Sequence, residues 1–238
     1  MIDKTFSVKK NIGISIINNT ALISVPNGEN EKIKTVKLDT LIQAFQKFGL
    51  GTETPILPRN CIKYKEKGGN IVIVLAYSPS KFNATMSIDR SVPNSKPEVF
   101  ENCPRPSVLM MFEMRKNDDE SFYLNQTRAY CIKEDLALIT KKTRVFMLPF
   151  PNIGEDGWVC WGSNNIGSNF KSLIGLDRLV DLLFNSPFNH DLFRGNSFAD
   201  AGISSPKQLF EYIKDKDIFP DNLFVNSSRS HSLTIGDL

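Results

Sequence analysis

The chain has 238 residues, 41% of them apolar and 23% charged, with a formal net charge of +3. That suffices for one large domain, or a medium domain with an appendage, and it excludes global disorder and collagen-like or coiled-coil architectures. The small positive balance falls short of the basic stripe of a dedicated nucleic-acid binder, and no apolar run approaches the roughly 18 to 20 residues that span a bilayer.

The short apolar run Ile12–Ile17 leads into Asn18-Asn19 rather than a small-residue cleavage site, so no signal peptide is expected and the chain is assigned to the cytoplasm. Asn18-Asn19 is a hairpin-like turn between expected strands over 6–16 and 20–26. Leu38, Leu41, Ile42, Phe45 and Phe48 recur at helical spacing, with Gly49 as the expected C-cap. Thr54-Pro55-Ile56-Leu57-Pro58 breaks regular structure and marks a candidate boundary.

From Cys61 to Asp89 the pattern is β, with Gly68-Gly69 between two runs; Ile71–Leu75 is apolar enough for a strand buried on both faces. Residues 90–106, with four prolines, are expected to form a loop. Val108–Met114 and Phe122–Ile132 form a hairpin, and Arg144–Leu148 a last short strand. A helical stripe then runs from Phe170 to Phe184. Ser205-Pro206-Lys207-Gln208 is a helix start, with Ser as N-cap, Pro at the first position and Gln closing a capping box. The last dozen residues are expected to be a loose tail. Strands followed by helices argue for an α+β fold with an antiparallel sheet.

Much chemistry is excluded by what the sequence lacks. There is no glycine-rich phosphate loop, no GxSxG elbow and no HExxH. The four cysteines, Cys61, Cys103, Cys131 and Cys160, are too far apart for a zinc knuckle or a redox pair, and there are only two histidines. No metal site is expected. The bland reading of any one cysteine is a small buried hydrophobe. Cys103 alone among the first three falls on an expected loop, which makes it the main rival for reactivity.

The segment Pro149–Gly162 stands out. Two prolines stiffen its approach, Asp156-Gly157 is a strong turn dipeptide, and Cys160 follows between Trp158 and Trp161, with Gly162 leaving the exit uncrowded. A turn folding residue 152 back towards 160 brings an amide near a thiol. An amide N–H suits the oxyanion of an attacked thioester, and a thiol suits an acyl carrier. The competing readings are a core thiol for Cys160, a turn or cap residue for Asn152, and loop anchors for the tryptophans.

Pro151-Asn152, eight residues before a cysteine with Asp-Gly between, resembles the active-site stretch of ubiquitin-conjugating (E2) enzymes. The resemblance is closest to prokaryotic E2 family D, the set known as PRTRC system protein B. It is carried also by Thr54-Pro55-Ile56-Leu57-Pro58, Arg105-Pro106-Ser107-Val108-Leu109, Val159-Cys160-Trp161-Gly162 and the Phe184–His190 element, over roughly 54–193. Phe150 stands where the eukaryotic pattern has His.

The resemblance implies an E2-like antiparallel meander packed on helices. The expected division is an N-terminal hairpin-and-helix extension (1–53), the E2-like domain (54–193), and a C-terminal helix with a flexible tail (194–238). Cys160 would carry a ubiquitin-like protein as a thioester, received from an E1-like, ThiF-type activating enzyme, and pass it to an amine. Asn152 would donate to the oxyanion, with Pro151, Asp156, Gly157 and Gly162 supporting the loop. His190, at the end of a helix, is a further candidate. The expected partners are that enzyme and that small protein, with no membrane and no nucleic acid. The alternative is a non-catalytic E2-fold binding module of the same mobile-element system.

Overall fold

The computed structural model describes residues 5–7, 13–27, 30–47, 54–87, 96–226 and 232–238. It divides into two compact units, Met1–Thr54 and Pro55–Leu238.

The first unit is a four-stranded antiparallel sheet, β1 (Thr5–Ser7), β2 (Gly13–Ile17), β3 (Thr20–Asn27) and β4 (Asn30–Lys37), followed by helix α1 (Leu38–Lys47). Asn18 and Asn19 both adopt positive φ, 48° and 63°. That conformation twists a two-residue hairpin in the sense its strands need, and Asn tolerates it best after Gly. The sequence reading missed β4, whose Glu31-Lys32 and Lys34 interrupt the apolar alternation. Ile14, Ala21 and Leu41 form this unit's small core. The expected cap Gly49 lies outside the described residues.

The second unit is α+β. Its strands are β5 (Cys61–Lys67), β6 (Asn70–Tyr77), β7 (Ser80–Met86), β8 (Glu98–Arg105), β9 (Ser107–Lys116), β10 (Phe122–Ile132), β11 (Phe146–Met147) and β12 (Asn169–Phe170). The main sheet runs β11-β10-β9-β6-β5, with β12 also on β10, and every ladder between these strands is antiparallel. It is not a simple meander. β7 and β8 leave it to pair as a separate hairpin, and β6 lies beside β9.

The apolar run of β6 has the two-sided burial expected of it. Ile71, Ile73 and Leu75 enter the larger core, while Val74 and Ala76 enter a smaller one on the opposite face. The larger core is closed by helices α2 (Arg178–Asn185) and α3 (Pro206–Ile213), which lie against β7 and β8. Ser205 caps α3 as read, its hydroxyl accepting from the Gln208 N–H at 3.3 Å. The Gln208 side chain, however, reaches back to the N–H of Ser204 at 2.7 Å, one residue before the cap.

Four further expectations need correction. Residues 98–105 of the expected loop form β8; Pro104 is tolerated because a two-stranded sheet is all edge. Cys103 is therefore a fully buried strand residue, and burial pushes its thiol up to about 11, which removes it as a rival nucleophile. The Phe170–Phe184 stripe is buried as expected, except for the exposed Ile174, but is not one helix. Phe170 pairs with Phe122 on β10, a 3-10 turn covers Leu173–Asp177, and only then does α2 begin.

The last correction concerns the end of the chain. Residues 232–238 are docked rather than loose: Ile235 and Leu238 complete the smaller core, and Ile235 N–H donates to Thr143 at 3.1 Å. Lys63 Nζ donates to the carbonyls of Ile235 and Gly236, at 3.2 and 2.9 Å.

Candidate functional site

After β11 the chain enters the segment singled out in the sequence. Residues 152–160 form a tight hairpin. Cys160 N–H donates to Asn152 at 2.8 Å, Gly154 N–H to Trp158 at 2.8 Å, and Gly157 N–H to Gly154 at 2.9 Å. Ile153 and Val159 pair across it and point into the core, each 2% exposed. Alternation along the returning strand then turns Cys160, next to Val159, to the opposite face, and the hydrogen bond from its N–H holds Asn152 alongside. Both line one cavity of about 800 Å³, together with Thr85, Ser87, Asn164 and Asp191.

The turn owes its shape to Asp156 and Gly157. Asp156 Oδ1 accepts from the N–H of Trp158 at 3.1 Å, and Gly157 has φ +84°. The returning strand is tied to β10: Val159 N–H donates to Thr127 at 3.1 Å, and Ala129 N–H to Gly157 at 2.8 Å. Tyr130 Oη donates to the Asp156 carbonyl at 2.7 Å. Arg128 is ion-paired with Glu113 and, through Nε, with Asp156 Oδ2 at 3.7 Å.

Asn152 also sits at positive φ, +68°, a conformation asparagine accepts more readily than most side chains. Its carboxamide clamps the chain beyond α2: Nδ2 donates to the Pro187 carbonyl at 3.1 Å, and Oδ1 accepts from the Asn189 N–H at 3.3 Å. The same stretch is held from the other side by the end of β7 and the residue after it: Phe188 N–H donates to Thr85 and Phe188 accepts from Ser87, both at 2.8 Å. The Asn152 side chain thus does for residues 187–189 what a neighbouring strand's peptide group would do. An amide nitrogen carries two hydrogens, and the Pro187 bond uses one.

Phe150 fixes the approach to the hairpin. It is 2% exposed, and its ring meets those of Phe82 and Phe184 edge-on at 5.4 and 5.5 Å. Pro151 is buried behind it.

The sequence candidates separate as follows. Asn152, Cys160 and Gly162 come together on the cavity, and Pro151, Asp156 and Gly157 form the hairpin behind them. Gly162 has φ +56° with open space around it. His190 is exposed and outside the cavity lining, although its neighbours Asn189 and Asp191 belong to it. Cys160 is partly exposed, whereas Cys103 and Cys131 are buried and burial raises both thiols. Cys61, half-buried at the start of β5, is also raised by burial. Among the described residues, Cys160 is the cysteine on this cavity.

Sequence reading overlooked Arg128 and Tyr130. For Arg128 the run Thr127–Ile132 offers one hint, a charge in a largely apolar stretch that needs partners if buried, but it does not say where those partners lie.

The sequence profile of prokaryotic E2 family D matches residues 37–226, and the chain belongs to that family. The match begins inside the first compact unit and extends past α3. No curated protein and no solved structure matches the chain. No helix among the described residues is long and apolar enough to cross a membrane.

Proposed function

We propose that this chain is an E2-like carrier, of the kind found in PRTRC systems, for a small ubiquitin-like protein. Its Cys160 thiolate attacks the C-terminal acyl group presented as a thioester by a ThiF-type, E1-like enzyme. A C–S bond forms on Cys160 and the activating enzyme's thiol is released. An amine then attacks the Cys160 thioester; the C–N bond forms, the C–S bond breaks, and the amine's proton is lost as the thiol is regenerated. ATP is consumed by the activating partner, so this chain needs no cofactor of its own.

The observation that carries this reading is the pairing of Asn152 with Cys160 across the hairpin, on one cavity, in a chain of an E2 family. The Asn152 N–H not engaged by Pro187 is the donor for the oxyanion. The clamp on residues 187–189 pre-orients that amide, so little reorganisation is needed as charge develops.

The test is a non-reducing gel of the chain with its cognate activating enzyme, ubiquitin-like protein and ATP. Cys160 should form a thiol-labile adduct, Cys160→Ala should form none, and Cys103→Ala should charge normally. Unchanged charging of Cys160→Ala would end the carrier reading.

The engagement of both ends of the Asn152 carboxamide also favours a second reading, an E2-fold binding module in which Asn152 is a strut. That module would bind the ubiquitin-like protein equally well with Cys160→Ala and would show no adduct in any variant.

A further inference from the structure

Arg128 lies within β10 with 8% of its side chain exposed, facing carboxylates from two elements. Nη1 is bound to Glu113 of β9, while the buried Nε makes no hydrogen bond and meets Asp156 in the hairpin turn only as a neighbouring charge at 3.7 Å. An unpaired buried charge is costly. The side chains of Glu113 and Asp156 are 36% and 39% exposed, so each could be hydrated without help. The guanidinium could not, and the hairpin turn supplies its second counter-charge.

The contacts close a ring. Arg128 faces Asp156; the other oxygen of Asp156 holds the Trp158 N–H; and Trp158 pairs by its backbone with Arg128. The hydrogen bonds on either side, from Val159 to Thr127 and from Ala129 to Gly157, belong to the same register. Cys160 is the second residue beyond Trp158. A slip of one residue along β10 would exchange the faces of Val159 and Cys160, sending the thiol inward.

We propose that Arg128 is a positioning residue for Cys160: its ion pair with Asp156 fixes the register that aims the thiol at the cavity beside Asn152. Its effect on transfer rests on the carrier reading above.

Two substitutions separate charge from packing. Arg128→Met keeps an unbranched stem in the strand and removes the guanidinium, leaving two carboxylates that reach water. Asp156→Asn keeps an oxygen for the Trp158 N–H and removes the charge. Each should slow discharge of the Cys160 thioester to free lysine by about 10- to 100-fold at saturating amine, with KM for the amine unchanged, because misplacement by about an ångström has costs of that order. The double variant should be no slower than Arg128→Met alone, since both remove one interaction. Arg128→Lys, which restores a point charge without the fork, should recover part of the rate.

Amide hydrogen exchange is read in parallel and needs no partner protein. In Arg128→Met, Val159 and Cys160 should lose protection while Ile73 and Val74 in β6 keep theirs. Discharge at the wild-type rate in both single variants, or additive losses in the double, would overturn the proposal. If wild-type Cys160 never charges, the carrier reading falls and exchange alone decides. Loss of protection confined to the hairpin would support the register role, and retained protection would overturn it.

Discussion

A Cβ placed on Gly157 would lie 2.6 Å from Cε1 of Tyr130, the residue whose hydroxyl holds the carbonyl just before that glycine. The turn is therefore closed from beneath by an aromatic ring, and only hydrogen fits between them. Gly157→Ala should destabilise the second unit by about 2–3 kcal/mol, combining left-handed strain with overpacking. Gly162→Ala meets no neighbour within 4 Å and should cost only the left-handed strain, about 1 kcal/mol. Urea unfolding midpoints of the two variants check the difference.

Asn152 is best tested with Asn152→Gly, which keeps the positive φ accessible while removing the amide. Charging of Cys160 should survive, and discharge to amines should slow by about 10² to 10³ in single-turnover assays. A discharge rate within a factor of two of wild type would leave Asn152 with the strut role alone.

The thiols should differ in reactivity. At pH 8 Cys103, held up to about 11, is almost wholly protonated and buried. Complete burial raises Cys131 as well. Iodoacetamide with peptide mass mapping should label Cys160 well before either. Labelling of Cys103 first would contradict the strand placement.

The same shift has a stability consequence with a definite sign. Between an ordinary thiol value of 9.0 and about 11, the folded state keeps the Cys103 proton that the unfolded chain has lost. Folding then binds protons, so stability is full below pH 9 and falls as pH rises towards 11. Denaturant titrations at pH 8 and 10.5 should show this loss, and Cys103→Ala should reduce its slope.

What was legible in the sequence was local and periodic. Gly68-Gly69, the Ile71–Leu75 run, the β9–β10 hairpin and the Ser205 cap each announce themselves within a few residues, through turn chemistry or burial period. The nearness of Asn152 to Cys160 was readable for the same reason, because Asp156-Gly157 leaves the chain few ways to go. β8 was hidden because proline argues against a strand unless the partner strand and the free edge are known. The 3-10 turn before α2 has the same apolar spacing as a helix over so short a span. Arg128 and Tyr130 belong to the site only through pairing between β10 and a segment some thirty residues later, and no local pattern in either stretch reports that pairing. The docking of Ile235 and Leu238 is likewise a long-range event, decided by an uncovered sheet face rather than by the composition of the tail.

Phe150 holds the approach to the hairpin by ring packing, with no group there to titrate and no charge for salt to screen. An imidazole at that point, as in the eukaryotic pattern, would make the loop's anchorage answer to acidity near neutral pH. Anchorage by rings answers instead to the hydration of apolar surface, which loses force on cooling and in urea. The loop that bears Cys160 is thus held by unlike means at its two sides: by rings at its entry, which lose hold on cooling, and by the charge of Arg128 against Asp156 at its turn.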